Sequence, residues 1–287
     1  MTALSGVWAA TLTPLTSDLA PDPTRLVAHI ERLVSEGCDG VVLFGTTGEA
    51  TSFSVPERIA MLDDLVAAGV PSSQIIVGVG CAAAVDTVDL TRAASTHHVA
   101  GVLMLPPFYY KTVSDEDLFE AYAWIFEQAG PELPPVLLYN IPQVSGIRLS
   151  PELVGRLDTD FSTVVGIKDS TGDLESLRGF LKAMPESSVF AGIELLLVPD
   201  EGGVGTISAA ANINAGHVRK AFESRAEADI PVLAEARAVI NQHAAIPALK
   251  SIVAARLDDD GWLAVRPPLR PLPFDTGTVL AAALPAA

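Results

Sequence analysis

Lys168 stands at the end of an apolar, largely β-branched run, Thr163-Val164-Val165-Gly166-Ile167, and Asp169-Ser170-Thr171-Gly172-Asp173 follows at once. The run reads as a short buried strand, and the polar cluster as a turn that opens a helix. An amine at the mouth of an apolar strand loses water. Desolvation disfavours an ammonium and favours the free amine, the nucleophile that Schiff-base chemistry on a carbonyl substrate requires. For a single residue the plainer reading is a strand-end lysine that snorkels to solvent. What stands at the other strand ends decides between the two.

Several strand ends carry groups that suit such chemistry. Gly45-Thr46-Thr47-Gly48-Glu49 offers two hydroxyls between glycines, so that backbone amides can approach a carboxylate closely; a tight turn with solvated threonines is the competing reading. Glu49 reads as structural rather than as a catalytic base. Tyr139 closes the run Val136–Tyr139, where a hydroxyl with partners can relay protons, although most buried tyrosines only pack and hydrogen-bond. Pro106-Pro107-Phe108-Tyr109-Tyr110-Lys111, Gly192-Ile193-Glu194 and Gly205-Thr206-Ile207-Ser208 end three more runs, and Ser170 lies in the turn just past Lys168. Glu194 admits two roles, a contact to hydroxyls of a substrate or a helix cap.

The elements that must position these residues alternate regularly. Short apolar runs at Val7–Leu12, Gly40–Phe44, Ile75–Val79, Gly101–Leu105, Val136–Tyr139, Val164–Lys168, Ser188–Ala191 and Val204–Ile207 predict eight strands. Amphipathic stretches between them, at Thr24–Ser35, Val55–Ala68, Val85–Thr96, Asp115–Ala129, Pro151–Leu157 and Leu174–Ala183, predict helices, several opened by a Ser, Pro or acid. Alternation of this kind predicts a parallel sheet covered on both faces, and eight repeats predict closure into an α/β (β/α)₈ TIM barrel, whose chemistry gathers at the carboxyl ends of the strands. An open doubly wound sheet is the alternative, but Thr13-Pro14-Leu15-Thr16 after the first strand is no phosphate cradle. Residues 215–257 and 275–284 read as helix only, separated by an extended, Pro-stiffened linker at 265–273. The expected organisation is a barrel over 1–214 and a C-terminal helical extension packed on it over 215–287.

Composition narrows the function. The 287 residues carry a net charge of −17. Nucleic-acid backbones and anionic membranes would repel such a chain, so neither is an expected partner. An anionic substrate would need local donors strong enough to overcome that field. Two cysteines, Cys38 and Cys81, are too few for a disulfide framework and fit a reducing compartment. The first residues lack a basic segment followed by an apolar core, and the charge-free stretch Leu65–Val85 is broken by Gly69, Pro71, Ser72, Ser73 and Gln74, which predicts helix end, turn and strand rather than a span. A cytoplasmic location is expected. No clustered His/Asp/Glu set suggests a metal; His97 and His98 are adjacent and point apart on a helix.

Taken together, Gly45-Thr46-Thr47-Gly48-Glu49, Tyr139-Asn140-Ile141-Pro142, Gly166-Ile167-Lys168-Asp169 and the strand carrying Ile207-Ser208 resemble the pyruvate-dependent class I aldolase family of dihydrodipicolinate synthase and N-acetylneuraminate lyase. The segments keep the family's order and spacing over nearly the whole chain, and Arg266-Pro267-Pro268-Leu269 is similar to the family's C-terminal region. The resemblance implies a Schiff base between Lys168 and the ketone of pyruvate or another 2-oxo acid, with an aldehyde as second substrate and neither metal nor cofactor. It implies Tyr139 as proton relay, Thr46 and Thr47 as the pair that holds the 2-oxo acid carboxylate and links Tyr139 to its proton path, and Tyr110 as a residue reaching into a neighbouring subunit of a homodimer or homotetramer. Gly192, Ile207, Val144, Ser170 and Glu194 would line the substrate.

Two departures bear on the substrate. The synthases that make the lysine precursor carry an arginine two residues after the proline of Tyr-Asn-x-Pro; this chain has Val144 there. Loss of a charge-assisted contact to the carboxylate of aspartate semialdehyde would cost roughly 1.5–3 kcal/mol, and Gln143 and Lys111 are not expected to replace it. The expected acceptor is therefore a hydroxylated or neutral aldehyde, or a 2-oxo-3-deoxy sugar acid. A dihydrodipicolinate synthase that has lost its arginine, and a catalytically silent 2-oxo acid binding protein, are the alternatives. The segment after Gly192-Ile193-Glu194 also looks about two residues short, with Pro199 in an expected helix.

Overall fold

The computed structural model describes residues 4–197 and 203–285. Pro199 and the first glycine of Gly202-Gly203 therefore lie outside the described residues. Eight parallel strands follow one another in chain order and close into a barrel: β1 (Gly6–Ala10), β2 (Gly40–Leu43), β3 (Ile75–Gly78), β4 (Gly101–Met104), β5 (Val136–Asn140), β6 (Val164–Asp169), β7 (Ser188–Ala191) and β8 (Gly205–Ser208). Nearly every strand residue is buried, as expected for a sheet covered on both faces and read in the sequence as continuous apolar runs. All eight predicted strands are present, with ends shifted by at most two residues.

The chain groups into two compact bodies. One contains Pro71–Ile207 together with the residues up to Gly6; the other contains Val7–Val70 and the chain from Ser208 onward. In the first, β3 to β8 alternate with α3 (Ala84–Thr96), α4 (Asp115–Ala129), the short α5 (Pro142–Ser145), α6 (Pro151–Asp160) and α7 (Leu174–Ala183). The second holds α1 (Pro23–Ser35), α2 (Val55–Ala67), α8 (Ala211–Ser224), α9 (Ile230–Ile240), α10 (Ala245–Leu257) and α11 (Phe274–Ala282).

Ser54, Ser114 and Ser150 cap helices where expected, and Asp22, not singled out in the sequence, caps α1 ahead of the expected Pro23. Asp22 accepts from the amide of Arg25 ahead of Pro23 at 3.0 Å, and Ser150 accepts from Leu153 N at 3.0 Å. Ser54 with Glu57, and Ser114 with Asp117, form reciprocal capping boxes in which each side chain satisfies the other residue's amide. The stretch Leu65–Val85 resolves into the end of α2, a turn, β3 and the first residues of α3, and no described helix is long and apolar enough to cross a membrane. His97 and His98 do not lie within a helix as expected: His97 caps α3, and His98 takes a left-handed conformation (φ 50°) in the turn beyond.

The C-terminal part differs in detail from its sequence reading. The helices expected over 215–257 are α8, α9 and α10. A left-handed Arg225 (φ 51°) ends α8, Pro231 sits in the first turn of α9, and Asn241 caps its end. Helix α8 also starts four residues early and bends at Asn214. Leu12, at the end of β1, packs in one apolar cluster with α8, α9, α10, Trp262 and Leu280. The segment 265–273 is not a plain extended spacer. It turns at Arg266–Leu269, where Leu269 N donates to Arg266 O at 3.0 Å, and Arg266 is bound at several points.

Candidate active site

Lys168 and Tyr139 are direct partners across β5 and β6 because of an irregularity that no hydrophobic pattern reveals. Val136 pairs with Val164, but Leu137 already pairs with Gly166, so Val165 is bulged out of register. Side chains alternate faces along a strand, and a slip of one residue would turn Lys168 to the opposite face. With the bulge, Tyr139 pairs with Lys168, and both side chains are buried (3% and 4% exposed). Lys168 Nζ lies 3.4 Å from the Tyr139 hydroxyl and 4.5 Å from the centre of its ring. That hydrogen bond is long. Gly166 makes the bulge possible. A Cβ there would fall 2.0 Å from the Ser188 carbonyl oxygen on β7.

A buried polar network fixes the backbone that carries these two side chains. Asn140 Nδ2 donates to Asp169 Oδ1 at 2.8 Å, and Asn140 Oδ1 accepts from Leu149 N at 3.1 Å. Asp169 Oδ2 accepts from the Thr171 hydroxyl at 2.7 Å, and Ser170 N donates to Asn140 O at 2.8 Å. Asn140 and Asp169 are fully buried, so each polar atom must find a partner within the protein, and together they bind the end of β5 to the end of β6. Sequence reading quoted both residues only as motif neighbours. Two polar residues flanking the ends of apolar strands were the available signal.

The other expected residues of this body differ in burial. Ser170 is buried against Gly192: a Cβ on Gly192 would meet Ser170 Oγ at 2.0 Å, and Gly192 N donates to Asp169 O at 2.7 Å. Glu194 is wholly buried at the start of a short 3₁₀ turn that has no side-chain cap. Ile207 is buried on β8, next to Thr206, whose hydroxyl donates to Ala191 O at 2.7 Å. Val144 and Tyr110, by contrast, are 61% and 75% exposed and stand outside the buried group. Tyr110 packs edge-on to Tyr109 with ring centres 5.4 Å apart. The polar neighbours of Val144 are engaged elsewhere. Lys111 Nζ donates to the carbonyls of Phe108 and Ser145, and Gln143 Nε2 donates to Ser170 O at 2.6 Å.

Thr46 and Thr47 belong to the other body, half-buried in the turn that follows β2. Phe44 and Glu49 bracket that turn with φ of 49° and 58°, a left-handed conformation that non-glycine residues adopt at a cost. Within it Glu49 N donates to Thr46 O, Ala50 N donates to Gly45 O, and the Thr13 hydroxyl donates to Gly48 O at 2.8 Å. Glu49 is buried and contacted at both carboxylate oxygens. Its Oε1 contacts Lys250 Nζ at 2.5 Å, off the line of a regular hydrogen bond, and its Oε2 accepts from Arg266 N at 3.1 Å. Burial pulls the Lys250 ammonium below the usual lysine pKa, while the Glu49 carboxylate opposes that shift. Lys250 was missed in the sequence, although a lone charge inside Ala245-Ile246-Pro247-Ala248-Leu249-Lys250-Ser251-Ile252-Val253 signals a buried, paired cation. No group of three or more His, Cys, Asp or Glu side chains that could hold a metal ion occurs among the described residues.

These features define a (β/α)₈ barrel with a lysine buried at the end of its sixth strand beside a tyrosine on the fifth. The chain belongs to the dihydrodipicolinate synthetase family, whose model matches residues 3–286. It is 34% identical to an uncharacterised DapA-like lyase of Chloroflexus aurantiacus, over 97% of this chain and 95% of that one. It is 40% identical to a 4-hydroxy-tetrahydrodipicolinate synthase of Thermus thermophilus over 197 residues, 67% of this chain and 64% of that one. Its fold matches a dihydrodipicolinate synthase from Agrobacterium tumefaciens with a TM-score of 0.91 at 34% identity, covering 98% of both chains. A prophage protein of the same family from E. coli K12, solved in complex with pyruvate, superposes with a TM-score of 0.85 at 26% identity, covering 97% of both.

Proposed function

We propose that the protein is a Schiff-base lyase or aldolase that makes or breaks a C–C bond between pyruvate and an aldehyde. The observation that carries this reading is the buried Lys168–Tyr139 pair, with Nζ and hydroxyl 3.4 Å apart on adjacent strands. The pyruvate complex of the E. coli family member supports the choice of 2-oxo acid.

In this reading the free amine of Lys168 adds to C2 of pyruvate. The Tyr139 hydroxyl relays one proton from Nζ to the C2 oxygen, giving the carbinolamine, and donates a second as that oxygen leaves as water, which gives the iminium and leaves a Tyr139 phenolate able to take the C3 proton. The iminium draws electrons from C3, which loses a proton and becomes an enamine carbon. That carbon attacks the aldehyde to form the C–C bond, and water hydrolyses the new imine to release product and free Lys168. The reverse sequence cleaves a 2-oxo acid. Thr46 and Thr47 hold the pyruvate carboxylate through hydroxyl and amide donors, offsetting a net charge of −17 that would repel an anion. Ser170, Gly192, Glu194 and Ile207 line the acceptor side, and Tyr110, exposed on its loop, reaches a second copy in a homodimer or homotetramer.

Val144 favours a neutral or hydroxylated aldehyde, or a 2-oxo-3-deoxy sugar acid, over aspartate semialdehyde. The Thermus relative supports the rival reading, condensation of pyruvate with aspartate semialdehyde. Incubation with pyruvate in D₂O tests the shared step without any knowledge of the acceptor. Enamine formation exchanges the methyl protons, so their NMR signal should decay with wild-type protein and far more slowly with Tyr139→Phe. An undiminished methyl signal would make the protein a silent 2-oxo acid binder. Turnover of aspartate semialdehyde matching that of an arginine-containing synthase would favour the rival.

A further inference from the structure

We infer that Glu49, Lys250 and Arg266 are positioning residues for the proposed carboxylate cradle: the chain from α10 onward holds the Thr46–Thr47 turn in its binding shape. The inference rests on the proposed role of that turn as a carboxylate cradle. The turn is strained at both ends, by Phe44 at φ 49° and Glu49 at φ 58°. Strain of this kind persists only where the surroundings over-determine it. The surroundings here come from residues about two hundred positions downstream. Lys250, fully buried in α10, contacts Glu49 Oε1 at 2.5 Å and donates to Ala264 O at 2.7 Å, while Arg266 N donates to Glu49 Oε2 at 3.1 Å. One carboxylate thus joins the turn to a helix and to the segment beyond it.

Arg266 grips the chain just past the turn. Its guanidinium donates to Ser52 O at 2.8 Å and pairs with both oxygens of Glu57 at 2.5 and 3.1 Å, and its Nε donates to Leu19 O at 2.9 Å. It also lies 4.4 Å from the centre of the Phe53 ring. Glu57 is at the same time the capping-box residue of α2. The backbone from Gly45 to Glu57 is therefore held at Glu49, Ser52 and Glu57 by residues of the C-terminal segment. A buried ion pair adds little to stability over apolar residues of the same volume; geometric specificity is the better reason to keep one. Glu49, Lys250 and Arg266 are positioning residues: none of them needs to touch substrate.

The test follows pyruvate binding and protein stability separately. Borohydride reduces the Lys168–pyruvate imine to a stable secondary amine, and the pyruvate concentration giving half-maximal labelling reports the cradle. Lys250→Met leaves a buried carboxylate unpaired and should lower the melting temperature. The double variant Glu49→Gln, Lys250→Met removes that charge and should recover it. In both, half-saturation should rise about ten- to a hundredfold, as for a site displaced by about 1 Å, while labelling at saturating pyruvate stays complete. Arg266→Met, which leaves the ion pair intact, should raise it at least severalfold and serves if the others do not fold. A folded double variant or Arg266→Met with half-saturation within twofold of wild type overturns the inference. Absence of any adduct in the wild-type protein overturns the Schiff-base reading as well, so the two failures are distinguishable.

Discussion

Replacing Gly166 with alanine should damage catalysis far more than stability. The added Cβ would sit 2.0 Å from the Ser188 carbonyl oxygen, 2.8 Å from its carbon and 2.9 Å from its Cβ. Carbon atoms do not approach an oxygen closer than about 3 Å, so β6 must move by about 1 Å or the bulge at Val165 must rearrange. The obstacle is backbone within the barrel ladder and cannot swing aside. Overpacking of this kind costs about 1–3 kcal/mol, which lowers the melting temperature of a chain this long by only about 2–6 °C. A displacement of about 1 Å at Lys168, two residues away, can cost about a hundredfold in rate. The paired readout is a thermal melt and the rate of pyruvate methyl exchange in D₂O. A melting temperature lowered by a few degrees with exchange reduced some hundredfold supports the role given to the bulge. Exchange at the wild-type rate would refute it, because Lys168 would then meet Tyr139 without the register that Gly166 permits.

Other perturbations test separate parts of the account. Tyr139→Phe should lower kcat about 10²–10⁴-fold with little change in KM for pyruvate, since the hydroxyl is assigned to proton transfer rather than binding. Val144 is exposed enough to accept a longer side chain, so Val144→Arg should leave the melting temperature unchanged and raise turnover of aspartate semialdehyde about ten- to a hundredfold in coupled assays. Burial, with the nearby Arg32 charge adding to it, lowers the His29 pKa from 6.5 to about 3. The unfolded chain then takes up a proton from pH 6.5 downward that the folded protein refuses, so stability should fall by up to about 1.4 kcal/mol per pH unit between pH 6.5 and 3. Replacing His29 with Gln should flatten that part of the denaturation profile. Burial pushes the Cys38 thiol up to about 12, so a thiol reagent should spare Cys38 in the native protein and reach it only on unfolding, while the half-buried Cys81 reacts first.

The barrel was legible because its signals are local. Apolar runs of strand length alternate with helices opened by Asp22-Pro23, Ser54, Ser114 and Ser150, and each of those caps forms within three residues of chain. Lys168 and Tyr139 were legible for the same reason, as polar residues at the ends of apolar runs. The match between them was not. It depends on the bulge at Val165, which the unbroken run Val164–Ile167 conceals, and on the close approach of Gly166 to β7. Nor does any local pattern pair Glu49 with Lys250 or Arg266 with Glu57, because such contacts appear only once the chain has closed. The prolines of 265–273 suggested an extended linker, and nothing local in it shows that Arg266 binds Leu19, Ser52 and Glu57.

The central claim is that Lys168 forms an imine with a 2-oxo acid. Incubation of the full chain with pyruvate and borohydride, followed by peptide mass mapping, tests it most directly. One stable adduct is expected, on the peptide containing Lys168, absent from Lys168→Ala and absent from buried, paired Lys250. Lack of an adduct with any 2-oxo acid, or labelling that persists in Lys168→Ala, would contradict it.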